Sequence, residues 1–220
     1  LLLEERQKAR LLDYAQLLWE GNQRMNLTAL NEPEEVARKH LADSLFPLCF
    51  GWIPQGARVV DVGTGAGLPG IPLAILRPDL EMLFLDSLEK RLAFVEESCH
   101  SLGIQGKIHH ARAEDAGRDS TYRDQFDLAL SRAVAPAEVL VEYCMPLVKP
   151  GGHFLAYKGG RGQEEFLQAQ SALEALASKV AAVETKDFSW GQRSLVSIAK
   201  EGSTTEKYPR KAARIKKAPL

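Results

Sequence analysis

The first fifty residues show apolar positions at helical spacing. These positions are Leu11, Leu12, Ala15, Leu18 and Trp19. The spacing predicts an amphipathic helix, and Gly21-Asn22 predicts its end. A second helix is predicted to begin near Asn31, with Pro33 in its first turn and Glu34 three residues after the cap. Residues 1–50 are therefore predicted to form a helical extension.

From residue 57 onward, short apolar runs alternate with helical patterns. The predicted strands are residues 58–62, 82–86, 107–110, 126–131 and 153–158, and the predicted helices are residues 69–76, 88–102, 135–147 and 163–178. This alternation predicts parallel strands joined by right-handed crossovers, with helices on both faces of the sheet. Two further strands, 180–186 and 194–200, are expected to close the sheet as a hairpin. The predicted fold class is α/β, with a mostly parallel seven-stranded sheet.

The composition excludes several classes of protein. With 45% hydrophobic and 26% charged residues, the 220-residue chain is typical of a globular protein. Cys49, Cys99 and Cys144 are odd in number and far apart, which argues against a disulfide framework or a zinc site and favours the cytoplasm. No signal-peptide pattern and no apolar run long enough to span a bilayer is present, so we expect no membrane segment. The net charge of −1 gives no overall attraction to nucleic acid, so any RNA contact requires a local basic surface.

The strongest signal is a glycine-rich turn after the first predicted strand. The strand ends at Asp61, and Gly63, Gly65 and Gly67 follow at alternate positions before a helix opens near Pro69. Glycine lets the backbone bend sharply and approach a ligand closely. The spacing differs from the G-x-G-x-x-G of dinucleotide binders, and Pro69 removes an amide that a pyrophosphate would use. We expect the Asp61 carboxylate to accept hydrogen bonds from turn amides or from a ligand ammonium group.

Two later elements favour a nucleoside as the ligand. An apolar strand ends in Asp86, where a carboxylate can bind the two free hydroxyls of a ribose. Ala113-Glu114 follows the next strand, at the position expected for an adenine edge. Each element alone has an ordinary explanation, because a lone Asp after a strand is usually a helix cap. Together and in this order, they predict a nucleoside cofactor without phosphates.

These elements resemble the cofactor site of class I S-adenosylmethionine (SAM)-dependent methyltransferases. Further motifs are similar to one family, the RsmG (GidB) family of bacterial 16S rRNA guanine-N7 methyltransferases. The motifs are Asn26-Leu27-Thr28-Ala29-Leu30, Lys39-His40-Leu41-Ala42-Asp43-Ser44-Leu45, residues 61–72, Leu85-Asp86-Ser87-Leu88-Glu89-Lys90-Arg91, Arg112-Ala113-Glu114, Ser131-Arg132-Ala133-Val134-Ala135, Lys158-Gly159 and Tyr208-Pro209-Arg210-Lys211. The resemblance covers nearly the whole chain. The tail departs from it, because Ala213-Arg214-Ile215 stands where the family has Gly and Pro.

The resemblance implies a Rossmann-like class I fold that binds SAM without a metal ion. Gly63 and Leu68 would line the methionine end and the pocket wall. Asp86, with Ser87 and Leu88, would hold the ribose, and Ala113-Glu114 would flank the adenine. Arg132 would lie at the mouth beside the reacting methyl group. The complete expected cofactor-binding set is Asp61, Gly63, Gly65, Gly67, Leu68, Asp86, Ser87, Leu88, Ala113, Glu114 and Arg132.

The loop after the fourth predicted strand lacks groups that other methyl acceptors need. Exocyclic amines are commonly served by an Asn/Asp-Pro-Pro-aromatic turn, and pyrimidine carbon 5 requires a nucleophilic cysteine. The loop reads Ser131-Arg132-Ala133-Val134-Ala135-Pro136 and contains neither, while Cys144 is predicted to be a buried core residue. Guanine N7 has an in-plane lone pair and loses no proton when methylated. Alignment of the reactants without a general base is therefore chemically adequate.

Three polar side chains each have a functional and a structural interpretation. Arg132, as a positioning residue, could donate to guanine O6 or balance charge near the cofactor, or it could form a surface ion pair with Asp127 or Glu114. Lys158 could contact an RNA phosphate or be simply solvated. His40 could act in the site or be a packed residue on its helix.

The residues after Ala199 predict a local basic surface on an extended segment. Seven basic residues stand there against two acidic ones, which favours phosphate contact or simply solubility. Tyr208 could stack on a base. The predicted RNA-binding set is Lys158, Tyr208, Arg210, Lys211, Arg214, Lys216 and Lys217.

The sequence thus predicts three parts: a helical extension (1–50), a SAM-binding methyltransferase domain (51–200) and a basic tail packed on that domain (201–220). We expect a monomer that acts on 16S rRNA or the small ribosomal subunit in the cytoplasm. Three alternatives stay open. They are a SAM-dependent enzyme acting on a small molecule, a ribosome-assembly factor that keeps the fold without catalysis, and a nicotinamide-dependent dehydrogenase.

Overall fold

The structure is a computed structural model that describes residues 2–27 and 35–220. The α-helices are α1 (Glu5–Met25), α2 (Ala42–Leu45), α3 (Gly70–Leu76), α4 (Glu89–Leu102), α5 (Ala113–Ala116), α6 (Ala137–Cys144), α7 (Gly162–Gln168), α8 (Gln170–Ala175) and α9 (Ala212–Lys217). A π-helical stretch (Val36–Leu41) precedes α2, and a 3-10 helix (Phe46–Cys49) follows it. The strands are β1 (Arg58–Val62), β2 (Glu81–Asp86), β3 (Gly106–His110), β4 (Phe126–Arg132), β5 (Val148–Gly159), β6 (Ser178–Phe188) and β7 (Gly191–Lys200).

The seven strands form one sheet in the order β3-β2-β1-β4-β5-β7-β6. Strands β1 to β5 are parallel, and β7 runs antiparallel between β5 and β6. The chain order reverses at β1, so the carboxyl ends of β1 and β4 flank a crevice, where open α/β sheets bind ligands. The predicted α/β fold with its closing hairpin is confirmed.

Alternate residues of the strands feed two separate cores, one on each face of the sheet. In β2, Met82 and Phe84 join the cluster that contains α1, α3 and α4, whereas Leu83 and Leu85 join the cluster that contains α6 to α9. Successive side chains of a strand point to opposite faces, so a strand covered on both faces is apolar throughout. This explains why the central strands have continuous apolar runs in the sequence.

The predicted end of the first helix at Gly21-Asn22 is wrong. Helix α1 continues to Met25 and ends at Asn26, which adopts the left-handed conformation with φ 51°. Gly21 lies inside the helix because α4 packs closely there: a methyl group at this position would lie 2.6 Å from Cε2 of Phe94. The glycine therefore serves helix packing, and the asparagine ends the helix.

Several other boundaries differ from the predicted ones, and part of one prediction falls outside the described residues. Thr28, Ala29 and Leu30 of the first motif, and the proposed helix start at Asn31, Pro33 and Glu34, lie outside them. The helix predicted over 163–178 is divided into α7 and α8 at Ala169, whose ψ of 18° departs from helical geometry. The helix predicted over 135–147 is only Ala137–Cys144, and β5 is longer than predicted.

The prediction of an extended surface tail is also wrong. Residues Ala212–Lys217 form helix α9, and Ile215 is fully buried in the cluster beneath α6. Tyr208 is buried as well, with 7% of its surface exposed. The tail is therefore packed on the domain through a few buried side chains, while most of its other residues are exposed.

Within residues 2–27 and 35–220, no helix is long and apolar enough to cross a membrane. The same described residues contain no cluster of three or more His, Cys, Asp or Glu side chains suited to a metal ion.

Candidate active site

The glycine-rich turn after β1 is held together from behind by Asp61. One carboxylate oxygen of Asp61, Oδ2, accepts hydrogen bonds from Oγ1 of Thr64 at 2.7 Å and from the backbone N of Gly70 at 2.9 Å. Burial raises the pKa of Asp61 to about 6, although these two hydrogen bonds lower it. Asp61 accepts a turn amide, which is one of the two roles expected from the sequence.

Two glycines are required by the shape of this turn. Gly63 has φ +68°, and a methyl group there would lie 2.6 Å from Cγ2 of Val134. Gly67 has φ +91°, and a methyl group there would lie 2.4 Å from Cδ1 of Ile71. Both conditions exclude ordinary side chains. Gly63 leaves open the space beside Val134, on the side where the ligand is expected. Gly67 lets the turn pack closely against α3.

The turn forms one wall of a cavity of about 700 Å³ at the carboxyl ends of β1, β2 and β4. Eight of the eleven predicted cofactor residues line it: Gly63, Gly65, Leu68, Asp86, Ser87, Ala113, Glu114 and Arg132. The other three, Asp61, Gly67 and Leu88, do not line the cavity. Asp61 is buried behind the turn, Gly67 packs against α3, and Leu88 is 50% exposed on the surface.

Asp86 is fixed in the floor of the cavity by backbone amides. Its Oδ2 accepts from the N of Gly65 and its Oδ1 from the N of Leu88, each at 2.9 Å. Arg91 lies 4.0 Å from Oδ2. A carboxylate has about four acceptor positions, so two of them stay available to ligand hydroxyls. The side chain is thus preorganised to accept from a ribose diol.

Glu114 supplies a second acceptor to the cavity. The residue is buried, and none of the described residues is a hydrogen-bond partner of its Oε1. A buried polar atom without a partner is rare and costs free energy, so it indicates a missing donor. The exocyclic amine of an adenine could donate to this oxygen, because Glu114 lies where the sequence predicts the adenine edge.

Arg132 lies at the carboxyl end of β4 and contacts the helical segment before α2. Its Nη1 donates to the carbonyl oxygen of His40 and its Nη2 to Nδ1 of His40, both at 3.3 Å. The predicted alternative of a surface ion pair with Asp127 or Glu114 is wrong, because the guanidinium is turned toward His40 and Asp127 pairs with Lys149. Burial lowers the pKa of Arg132.

His40 also lines the cavity, and its chemistry is set by this contact. Burial, together with the positive charges of Arg132 and Lys39, lowers its pKa to about 4. The imidazole is therefore neutral at pH 7. Because Arg132 always donates, the Nδ1 atom of His40 acts as an acceptor and the ring proton is on Nε2.

The cavity has further residues that the sequence did not single out as ligand-binding. They include Thr64, Arg91, Arg112, Val134, Tyr143, Lys216 and Pro219. Tyr14 supports the site from α1, since its hydroxyl donates to the carbonyl oxygen of Ala66 at 2.6 Å. The His40 and Tyr14 contacts span 92 and 52 residues of sequence, and no local pattern encodes them. No local pattern placed Lys216 or Pro219 at the cavity either, because both residues belong to the C-terminal tail.

The structure distributes the predicted RNA-binding residues among different environments. Lys158 is 10% exposed and binds Oε2 of Glu165 at 2.7 Å and the carbonyl oxygen of Ala135 at 2.9 Å, so it is not simply solvated. Tyr208 is buried, so the prediction that it stacks on a base is wrong. Arg210 is paired with the buried Glu142. The remaining members are exposed: Lys211, Arg214, Lys216 and Lys217.

A second cavity of about 630 Å³ adjoins the first. Residues 133–136 and Glu138 line both cavities, and Lys158 and Arg161 line only the second. The loop after β4 therefore separates two recesses, with Arg132 on the side of the first.

The residues of the first cavity fit SAM. Asp86 offers acceptors to a ribose diol, Glu114 offers an unpaired acceptor to an adenine amine, and Gly63 leaves space that a side chain would fill. The apolar walls at Leu68 and Val134 suit a ligand with a large nonpolar surface. The first helix after the turn begins beside Pro69, which has no amide for a phosphate.

Sequence comparison identifies the family. A family model described as rRNA small subunit methyltransferase G (GidB) matches residues 7–196. The chain is 44% identical to Ribosomal RNA small subunit methyltransferase G of Alkaliphilus metalliredigens over 223 residues, covering 99% of this chain and 92% of that protein.

Structural comparison shows the same fold in more distant proteins. A SAM dependent methyltransferase from Aquifex aeolicus has a TM-score of 0.58 at 15% identity, covering 79% of this chain and 96% of that one. TYW2 of M. jannaschii in complex with AdoMet has a TM-score of 0.54 at 16% identity, covering 71% and 74%. The fold, the cavity and the sequence match agree. The chain belongs to the rRNA small subunit methyltransferase G (GidB) family and is a SAM-dependent methyltransferase of class I.

Proposed function

We propose that the protein methylates N7 of a guanine in 16S rRNA, without a general base. SAM supplies the methyl group, and the residues of the chain hold and align the reactants. The observation that carries the proposal is the pairing of Arg132 with His40 in the cavity wall. It supports a site that orients an acceptor but removes no proton from it.

The imidazole of His40 is poorly suited to proton abstraction. Its Nδ1 accepts from Arg132, so its Nε2 already has a proton, and its pKa is lowered to about 4. A general base works best with a pKa near the operating pH. Guanine N7 attacks through a lone pair and has no proton to lose. The chemistry of the acceptor and the protonation of His40 therefore agree.

Arg132 is the residue we propose for positioning the acceptor. Its guanidinium lies where the first cavity meets the loop of residues 133–136. A guanidinium can donate to guanine O6, next to N7, as it does in specific contacts with guanine. The second cavity, across the same loop, offers space for flanking nucleotide, with Lys158 and Arg161 in its wall.

The first experiment is transfer of labelled methyl from SAM to 16S rRNA and to the small subunit, followed by mapping of the modified base. We expect label at one guanine N7. Label on an exocyclic amine or a pyrimidine carbon would contradict the proposed chemistry. RNA binding without any label would favour a noncatalytic assembly factor. Undetectable or salt-insensitive RNA binding would favour a small-molecule methyltransferase.

The second experiment replaces Arg132. We expect Arg132→Ala to lower turnover at least about 100-fold while leaving the Kd for SAM within about threefold, because the side chain acts on the acceptor. Arg118→Ala, at an exposed arginine after α5, is the matched control and should have wild-type turnover. Wild-type turnover of Arg132→Ala would remove Arg132 from the mechanism.

With a ribosomal substrate, we expect the protein to act in the cytoplasm, as a monomer. We also propose that residues 51–200 are the SAM-binding domain and that residues 1–50 and 201–220 are additions to it. Both additions contact the domain: Tyr14 donates to the glycine-rich turn, and Ile215 is buried beneath α6.

A further inference from the structure

The last eleven residues reach the SAM cavity. Lys216 and Pro219 both line it, although the sequence pattern of this segment is that of a basic tail. Lys217, the next residue of α9, is equally exposed but does not line the cavity. Neighbouring lysines of one helix thus have different environments. Contacts with other elements hold this segment against the cavity.

The segment is anchored to α6 by a buried ion pair. Glu142 has no exposed surface, and its Oε1 accepts from the backbone N of Arg210 at 2.7 Å and from its Nε at 2.9 Å. The second oxygen, Oε2, accepts from Nη2 of Arg210 at 2.6 Å. The next residue on α6, Tyr143, lines the cavity. The anchor is therefore one residue from the SAM site.

A second anchor holds the residues just before the segment against the loop that follows α5. Arg123 donates to the carbonyl oxygens of Thr204 at 2.7 Å and Tyr208 at 2.9 Å. The ring of Pro209 packs so closely on Gly117 that a methyl group there would lie 3.1 Å from its Cγ. Gly117 directly follows α5, which contains Glu114. Both anchors thus lie at the end of the cavity bordered by α5 and α6.

We propose that the C-terminal segment, residues 210–220, completes the SAM site and covers the nucleoside part of the ligand. Glu114 marks the adenine end, because no described residue supplies a donor to its buried Oε1. The apolar stem of Lys216 and the ring of Pro219 then exclude water from the adenosine, while the ammonium group stays in solvent. The basic charge of the segment is thus not its main contribution. The proposal depends on SAM binding but not on the identity of the methyl acceptor.

The test measures ligand binding by calorimetry without any RNA, for Lys216→Ala, Lys217→Ala and wild-type protein. The ligands are S-adenosylhomocysteine and methylthioadenosine, which lacks the amino-acid part. We expect Lys216→Ala to weaken both ligands by the same factor, about 5- to 10-fold, because apolar cover is lost from the shared nucleoside. Lys217→Ala should bind like wild type.

Two results would overturn the proposal. One is unchanged affinity of Lys216→Ala for both ligands, and the other is a loss restricted to S-adenosylhomocysteine, which would indicate contact with the amino-acid end. Pro219→Gly is a second variant, expected to weaken both ligands as well. The melting temperature of each variant, expected within about 2 °C of wild type for these exposed positions, separates loss of contact from unfolding. Failure of methyl transfer to RNA would leave these binding results unaffected.

Discussion

The glycine-rich turn and the C-terminal segment both form walls of the cavity that we propose for SAM, but they are held in place by different kinds of contact. In the turn, Asp61 bonds to Thr64 and Gly70, which are 3 and 9 residues away. In the C-terminal segment, Arg210 bonds to Glu142, which is 68 residues away, and just before the segment the carbonyl oxygen of Tyr208 accepts from Arg123, which is 85 residues away. The Asp61 contacts of the first wall are local, although Asp86 and Tyr14 support the turn from β2 and α1, whereas both anchors of the second wall come from distant elements.

This difference has a consequence for stability. The Asp61 contacts within the turn can form as soon as the residues of the turn adopt the required dihedral angles. A segment held by distant partners contributes to the site only when α5 and α6 are already in place. The two walls should therefore respond differently to substitution. Substitutions in the turn should mainly weaken ligand binding, and substitutions in the anchors of the segment should first lower the free energy of unfolding.

The largest expected effect concerns the anchor of the segment. Glu142→Ala removes the buried partner of an ion pair and leaves Arg210 without a carboxylate acceptor, so the free energy of unfolding should fall by about 3 kcal/mol. Urea unfolding followed by circular dichroism measures this change.

The matched control uses a carboxylate of another ion pair. Glu201 pairs with Lys179 on the surface, where the two side chains are 53% and 63% exposed. Glu201→Ala should therefore change the free energy of unfolding by less than about 1 kcal/mol. Equal effects of the two substitutions would mean that burial of Ile215, rather than the ion pair, holds the segment.

The same contrast explains which features could be predicted from the sequence. The strands were predictable because their alternate side chains pack into two cores. Such strands are apolar throughout and therefore give apolar runs of characteristic length in the sequence. The turn was predictable because its positive φ values require glycine within a few residues. Most of the proposed cofactor residues lie at the ends of these strands, so their positions followed from the order of the strands.

The features that were missed depend on contacts between distant residues. Gly21 looks like a helix end in the sequence, yet it is needed for packing against Phe94. The residues after 199 look like a polar tail, yet Ile215 and Lys200 are buried, and Lys200 bonds to Asp124 and to two backbone carbonyl oxygens. Composition cannot reveal such burial, because the partners are on other elements.

The second largest effect concerns the turn. Gly63→Asp should weaken SAM binding at least about 100-fold, equivalent to about 2.7 kcal/mol, because the new side chain meets Val134 and fills part of the cavity. Gly103→Asp is the control, since Gly103 has a similar φ of +62° but no neighbouring atoms within 4 Å of an added methyl group. Calorimetric titration with SAM should show near wild-type affinity for this control. Unchanged affinity of Gly63→Asp would refute the assigned cavity.

The smallest effect concerns the pH dependence of the turn's own stability. Burial raises the pKa of Asp61 from 3.8 to about 6, so the folded state retains this proton over a range where the unfolded state has lost it. A raised carboxyl pKa contributes stability below pH 4 that is lost as the pH rises through 6. Asp61→Asn removes this titration but keeps an oxygen that can accept from Thr64 and Gly70.

The quantity to measure is the difference in unfolding free energy between the wild type and Asp61→Asn at several pH values, without ligand. Between pH 5 and pH 8, this difference should move by about 1.4 kcal/mol in favour of the variant. His40 titrates in the opposite direction, because its pKa is lowered to about 4 and its contribution is lost as the pH falls below 6.5. It is present in both proteins and cancels from the difference. If the difference in unfolding free energy did not change with pH, the pKa of Asp61 would be the same in the folded turn as in water. Burial of the charged carboxylate would then cost no free energy in this turn.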